Sequence, residues 1–222
     1  MKDIVDEINA VHRETGRRGI PAGEARTVLL RRTYDAPAED VWDALTDPAR
    51  ISRWFLPITG DLRLGGKYQL EGNAGGEILQ CEPPRLLKAS WVYGEEPAEP
   101  GGSVVEVRLS PGPGGETVFE LEHTAIVDPE WWAKYGPGAV GVGWDLALLG
   151  LGLHLRGESI GDPSAWERSP EARRLMTASS GAWGAAMAAA GATGDEIATA
   201  VANTTEFYVP DAGSAEGRDT TG

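Results

Sequence analysis

The feature that most restricts the fold of this chain is a series of short strand patterns joined by turn residues between positions 67 and 124. Apolar and polar residues alternate within each segment, and glycine- or proline-rich joints separate one segment from the next. Joints of this length connect antiparallel strands and leave no room for crossover helices. A further strand pattern precedes the series. The predicted strands are 26–34, 67–71, 77–81, 86–93, 103–110 and 116–124.

Short helices are predicted between the first strand and the series. Pro37 opens one helix, and Asp47-Pro48 opens the next by pairing an N-cap residue with a proline at the first helical position. Asp128-Pro129 repeats this signal after the last strand, and a longer helix is predicted from about 139 to 157.

The long helix carries one apolar stripe, formed by Trp144, Leu148, Leu151 and Leu155 at helical spacing. This stripe is expected to face the sheet, with Trp144 in contact with the strand 86–93. The helix is apolar on a second side as well, so another element must cover it. That second side consists of Leu146, Leu149 and Leu153.

The chain divides into a main domain and its flanks. We expect an N-terminal helix and linker over 1–23, with the helix ending near Gly16, and the main domain over 24–157. Residues 158–210 are predicted as a helical extension packed on the main domain, and 211–222 as a disordered tail. The extension is expected to contain two helices and to cover the second apolar side of the long helix.

Charge and cysteine content exclude several classes of function. The formal charge is −14, which argues against nucleic acid or an anionic membrane as a partner. Nine acidic residues and one basic residue lie between 94 and 130, so an acidic outer face of the sheet is expected. Cys81 is the single cysteine, which excludes an internal disulfide and fits the cytoplasm. No signal peptide or membrane-spanning run is recognised.

Several short sequence motifs, which occur along the chain in the same order as in the family, resemble the START/SRPBCC superfamily. They resemble its branch homologous to the activator of the 90-kilodalton heat-shock chaperone's ATPase, over about residues 24–156. The resemblance implies an α+β helix-grip fold in a bacterial protein, with a cavity between a curved antiparallel sheet and a long C-terminal helix. The motifs are Tyr34 to Pro48, Ser52 to Phe55, Gly65 to Tyr68, Pro83 to Leu86, Leu121 to Thr124 and Gly143 to Leu149.

The aromatic and apolar residues placed around this cavity are the candidate ligand-binding set. Four of them are expected near the mouth (Trp54, Phe55, Trp131 and Trp132), and His123, Tyr68 and Tyr93 are the polar groups expected to orient a ligand. The full set is Trp54, Phe55, Tyr68, Leu70, Trp91, Tyr93, Phe119, Leu121, His123, Trp131, Trp132, Trp144 and Leu148.

No cofactor or metal site is predicted. Residues 136–141 match G-x-G-x-x-G, but a helix rather than a strand precedes them, so we interpret these glycines as allowing a helix to cross the sheet closely. The histidines His12, His123 and His154 lack metal-ligand spacing, and no catalytic trio is recognised.

Three functions remain open at this stage. The first is binding of a small hydrophobic or aromatic molecule, which a roomy cavity would favour. The second is a protein-interaction or chaperone-regulator role using the acidic outer face, which a small cavity would favour. The third is an enzyme of the cyclase or dehydratase kind, which a buried, perturbed carboxylate facing the cavity would favour. No oligomeric state is predicted.

Overall fold

The computed structural model describes residues 4–94 and 102–210. These residues form one antiparallel sheet in the order β1-β2-β8-β7-β6-β5-β4-β3. Its strands are β1 (His12–Ile20), β2 (Gly23–Tyr34), β3 (Ile58–Gly60), β4 (Lys67–Leu70), β5 (Gly75–Glu82), β6 (Leu86–Ser90), β7 (Ser103–Pro111) and β8 (Thr117–Ala125). The helices are α1 (Ile4–Asn9), α2 (Ala38–Thr46), α3 (Pro48–Trp54), α4 (Pro129–Tyr135), α5 (Gly138–Leu155), α6 (Pro163–Glu167), α7 (Pro170–Ala189) and α8 (Gly194–Tyr208).

The sheet curves around α5, which confirms the predicted α+β helix-grip fold. Leu148 and Leu151 on α5 are 2% and 1% exposed and belong to the same core as the inward-facing residues of the sheet. The ring of Trp144 lies 4.9 Å from that of Trp91, measured between centroids. The predicted contact between Trp144 and the segment 86–93 is therefore confirmed.

The helix starts follow the local capping chemistry. The Asp47 side chain accepts hydrogen bonds from the backbone N–H groups of Ala49 and Arg50 at the start of α3. Asp128 caps α4 in the same way. Thr193 and Glu196 form a reciprocal capping box at α8.

The N-terminal segment differs from the prediction. The helix expected to reach Gly16 ends at Asn9, and residues 12–20 form β1, an edge strand that pairs with β2 from His12↔Arg31 to Ile20↔Gly23. The predicted helix and linker are thus wrong from His12 onward. Most side chains of β1 are polar or charged, and an edge strand of this kind depends on its partner rather than on its own apolar pattern. The division into domains stays a prediction, and the tail predicted over 211–222 lies outside the described residues.

The second apolar side of α5 is covered by the C-terminal helices. Leu149 and Leu153 are buried. Trp183 of α7 is only 1% exposed and packs between α7 and α5. A Cβ atom on Gly141 would lie 2.2 Å from Cε2 of Trp183, and one on Gly138 would lie 2.8 Å from Oγ1 of Thr204. The glycines of 136–141 therefore make room for α7 and α8. Our interpretation that they bring a helix close to the sheet is wrong.

A buried ion pair fastens α5 to β1 and α7. Asp145 on α5 receives hydrogen bonds from Arg13 of β1, of which the shortest are Nη2 to Oδ1 at 2.8 Å and Nε to Oδ2 at 3.0 Å. Ser179 and Trp183 of α7 donate to Oδ2 at 2.5 and 3.1 Å. The side chains of Arg13 and Asp145 are only 6% and 1% exposed. A carboxylate placed this deeply requires all of these donors.

The helix α5 is, among the described helices, the one long and apolar enough to cross a membrane by composition alone. In the structure 61% of its residues are buried, because the sheet lies on one side and α7 on the other. This burial is the arrangement expected for the core helix of a soluble domain.

Candidate ligand-binding site

A cavity of about 130 Å³ lies between the concave face of the sheet and α5. Nine members of the candidate set line it: Trp54, Phe55, Tyr68, Leu70, Trp91, Phe119, Leu121, Trp144 and Leu148. The other lining residues, not in the candidate set, are Leu45, Thr46, Ile51, Ile58, Leu62, Ile78, Leu87, Ala89, Val105, Val107, Ala147 and Leu151.

The pleat of the sheet explains why so many lining residues were predictable. Successive side chains on a strand point to opposite faces, so alternate residues of β6, β7 and β8 face α5 together. The register pairs Ala89 with Val105 and Val107 with Leu121, which brings these side chains into one apolar floor. Within the described residues, the lining contains no acidic, basic or histidine side chain.

Trp54, the last residue of α3, forms part of the cavity lining. Its indole N–H donates to the carbonyl of Ala44 at 2.9 Å, which ties α3 to α2. A Cβ atom on Gly150 of α5 would lie 2.5 Å from the Trp54 carbonyl oxygen, so the glycine is what allows this close approach. The sequence prediction did not single out Gly150, because its effect depends on a contact distant in the chain.

Phe55, Trp91 and Trp144 form an aromatic wall across another side of the cavity. Their neighbouring ring centroids are 6.5 Å apart for Phe55 and Trp91 and 4.9 Å apart for Trp91 and Trp144. All three residues also line a groove of about 520 Å³ on the far side of the wall, which we call the outer groove. The cavity and the outer groove therefore adjoin each other at this wall.

Four members of the candidate set do not line the cavity. Tyr93, His123, Trp131 and Trp132 line a separate groove of about 420 Å³ beside α4, which we call the α4 groove. The strand β6 ends at Ser90, so the alternation that we extended to Tyr93 no longer applies there, and Tyr93 is 60% exposed. Trp131 and Trp132 lie on α4, which packs outside the sheet.

Tyr68 lines the cavity, but its hydroxyl group is engaged within the protein. The Tyr68 O–H donates to the backbone carbonyl of Ser90 at 2.7 Å, and burial raises the pKa of this phenol. Its proton is thus committed to the backbone, and the orienting role that we expected for it has no support from this geometry.

His123 is buried and fully hydrogen-bonded between two side chains. Burial lowers the pKa of its imidazole to about 4, so the ring is neutral at neutral pH. The indole N–H of Trp144 lies 3.2 Å from Nδ1, and the hydroxyl oxygen of Ser103 lies 3.0 Å from Nε2. An indole nitrogen only donates, so Nδ1 must accept and Nε2 must carry the proton.

Residues 35–155 match the family model described as "Activator of Hsp90 ATPase homolog 1-like protein". This match spans more than half of the chain. The chain belongs to this family. The family assignment agrees with the helix-grip fold and with the resemblance carried by the sequence motifs.

Solved structures extend the likeness beyond the family domain. The crystal structure of CalU16 from Micromonospora echinospora is 45% identical, with a TM-score of 0.63, over 81% of this chain and 99% of that one. Its solution structure is 46% identical, with a TM-score of 0.65, over 81% and 96%. Protein MLL2253 from Mesorhizobium loti is 27% identical, with a TM-score of 0.51, over 60% and 98%. The chain has no match among curated proteins.

The outer face of the sheet in this family member is less acidic than its composition predicts. Glu122 of β8 pairs with Arg18 of β1, two strands away, and Glu120 pairs with Arg31 of the neighbouring strand β2. Glu106 contacts Lys88 at 3.3 Å and also pairs with Arg108. Basic residues from β1, β2 and β6, which the count over 94–130 does not include, thus compensate the acids of β7 and β8 together with Arg108.

The buried imidazole predicts a pH-dependent stability. The unfolded chain takes up a proton on His123 near pH 6.5, whereas the folded chain resists protonation down to about pH 4. The free energy of unfolding should therefore fall as the pH drops through this window, with His123 contributing about 3 kcal/mol. Urea titrations at several pH values measure it. His123→Gln should lose this contribution, and the exposed control His12→Gln should keep it. Identical pH dependence of the His123→Gln variant and the wild type would contradict the prediction.

Proposed function

We propose that this chain binds a small hydrophobic or aromatic molecule non-covalently in the cavity between sheet and α5. The observation that carries the proposal is the cavity itself, which has room for a ligand and an entirely apolar floor. Its volume of about 130 Å³ is close to that of an apolar cavity of about 150 Å³ that holds benzene in another protein. One aromatic ring or a short alkyl segment fits.

The size of the cavity limits how much of the ligand it holds. Typical sites for drug-sized ligands measure about 300–1,000 Å³, so a larger ligand must extend beyond the aromatic wall into the outer groove. Burying about 150 Å² of a ring at about 25 cal/mol per Å² yields about 4 kcal/mol, which corresponds to a Kd of about 1 mM. Micromolar affinity would therefore require contacts in the outer groove as well.

A protein-interaction role is the second candidate. Its support is the family description and the small volume of the cavity. The acidic outer face on which we based this role is largely ion-paired, which removes part of its motivation. The cyclase or dehydratase alternative would need an acid or base at the cavity, and the lining residues described supply none. We place either binding role in the cytoplasm, with neither nucleic acid nor membrane as a partner.

A cavity-filling substitution tests the first proposal. Titration with N-phenyl-1-naphthylamine should raise the dye's fluorescence, quench tryptophan fluorescence and saturate at about one molecule per chain. Ala89→Phe places a phenyl ring inside the cavity and should weaken binding at least tenfold. Leu79→Phe, on the same sheet at a position 42% exposed, is the control and should bind as the wild type does.

Two results would count against ligand binding. One is the absence of saturable dye binding by the wild type. The other is equal affinity in Ala89→Phe and Leu79→Phe, with both variants melting like the wild type. Either result would move the protein-interaction role to first place.

A further inference from the structure

The α4 groove contains polar groups that the cavity does not use. Trp131 and Trp132 supply aromatic surface on one side, while Arg26 and Ser103 lie along the sheet on the other. Of these four side chains only Trp131 also lines the outer groove, and the function proposed above explains none of the other three.

The sheet register places Arg26 and Ser103 on the same face. Ala125 of β8 pairs with Arg26 of β2 on one side and with Ser103 of β7 on the other. Residues directly opposite one another on neighbouring strands share a face, and two strand spacings separate the outer pair by about 10 Å. The alanine between them leaves open space into which the long side chain of Arg26 can extend.

The hydroxyl group of Ser103 has a proton left to donate. Its oxygen receives the Nε2–H bond of His123, because the indole of Trp144 fixes the tautomer of that imidazole. Within the described residues, His123 is the side chain that hydrogen-bonds to this hydroxyl. The hydrogen bonds that connect Trp144 to His123 and His123 to Ser103 therefore leave the Ser103 hydroxyl group able to donate to a ligand in the groove.

Arg26 is positioned to supply a positive charge at the same place. Its guanidinium carbon lies 4.8 Å from the ring centroid of Trp132, a cation–π contact that holds the side chain along the groove wall. Among the described residues its charged neighbours are Arg17 and Glu24, and the ion pair of Glu24 is with Arg17 rather than with Arg26. A half-buried guanidinium without a carboxylate partner is suited to bind an anion that arrives with a ligand.

We propose that the α4 groove is a second binding site, separate from the cavity, for an aromatic carboxylate or a similar aromatic anion. The ring packs against Trp131 and Trp132, and the anionic oxygens accept hydrogen bonds from Arg26 and Ser103. Trp91 is the one described residue that lines both the cavity and the α4 groove, whereas the outer groove adjoins the α4 groove at Tyr93 and Trp131.

The test compares 2-naphthoate with 2-naphthamide, which has nearly the same shape without the charge. Isothermal titration calorimetry on the full chain should show naphthoate binding at one site at least tenfold more tightly than the amide. Arg26→Gln should weaken naphthoate binding about tenfold and Ser103→Ala about threefold, with little change for the amide. The matched controls are Arg63→Gln, which changes an arginine 83% exposed elsewhere, and Ser110→Ala on the same strand as Ser103. Both should bind naphthoate as the wild type does.

The cavity-filling variant separates this site from the proposed function. Ala89→Phe should retain naphthoate binding at the α4 groove even when it no longer binds N-phenyl-1-naphthylamine. Loss of naphthoate binding in Ala89→Phe would show that the acid enters the cavity and would overturn the second site. Equal affinity for acid and amide, or no effect of Arg26→Gln, would overturn it as well. Neither of these last two results bears on dye binding in the cavity.

Discussion

Deletion of residues 158–222 should leave a chain that aggregates instead of folding. The deletion removes α7 and α8, and with them the cover over Leu149 and Leu153 on α5. It also removes Trp183, which fills the space above Gly141, and two of the donors to buried Asp145. A large apolar face exposed beside a partly solvated carboxylate favours association between chains.

Size-exclusion chromatography and thermal melting measure this effect. A control chain lacking only 211–222 keeps every described helix and should remain monodisperse, with an unchanged melting temperature. If the chain lacking 158–222 stayed soluble and melted like the wild type, the extension would be an accessory and the helix-grip domain would be independent of it.

Asp145→Ala should destabilise the protein by about 3–5 kcal/mol. The substitution leaves the Arg13 guanidinium, 6% exposed, without its carboxylate partner, and a buried charge that loses its partner is costly. It also leaves the hydroxyl of Ser179 and the indole N–H of Trp183 without an acceptor. Urea-induced unfolding measures the loss.

Two further variants show whether the loss comes from the buried network. Asp61→Ala breaks the exposed pair with Arg63 and should change stability by less than about 0.5 kcal/mol. The double variant Arg13→Met with Asp145→Leu removes both charges and should be more stable than Asp145→Ala alone. If Asp145→Ala lowered the free energy of unfolding no more than Asp61→Ala does, the hydrogen bonds of Asp145 to β1 and α7 would not stabilise the fold.

Local chemistry accounts for the parts of the fold that the sequence predicted well. Period-two alternation needs only neighbouring residues, and it placed Leu121 and Phe119 on the face that lines the cavity. Helix starts at Asp47 and Asp128 follow from a side chain bonding to amides two and three residues ahead.

The features that sequence patterns missed depend on distant partners. β1 exists because β2 pairs with it, and its own residues show no apolar face. Gly141 is small because Trp183, 42 positions later, occupies the space above it. The separation of His123 from the cavity arises from Trp91 and Trp144, whose rings stand where the alternation alone would continue the pocket.

The most direct test of ligand binding in the cavity is to locate a bound aromatic molecule by methyl NMR. With N-phenyl-1-naphthylamine bound to a methyl-labelled chain, intermolecular NOEs should connect the dye to the methyl groups of Ala89, Leu121 and Leu148, which line the cavity. The methyl groups of Leu64, 65% exposed, should show none. NOEs confined to surface methyl groups, with Ala89, Leu121 and Leu148 silent, would contradict the proposal that the cavity is the binding site.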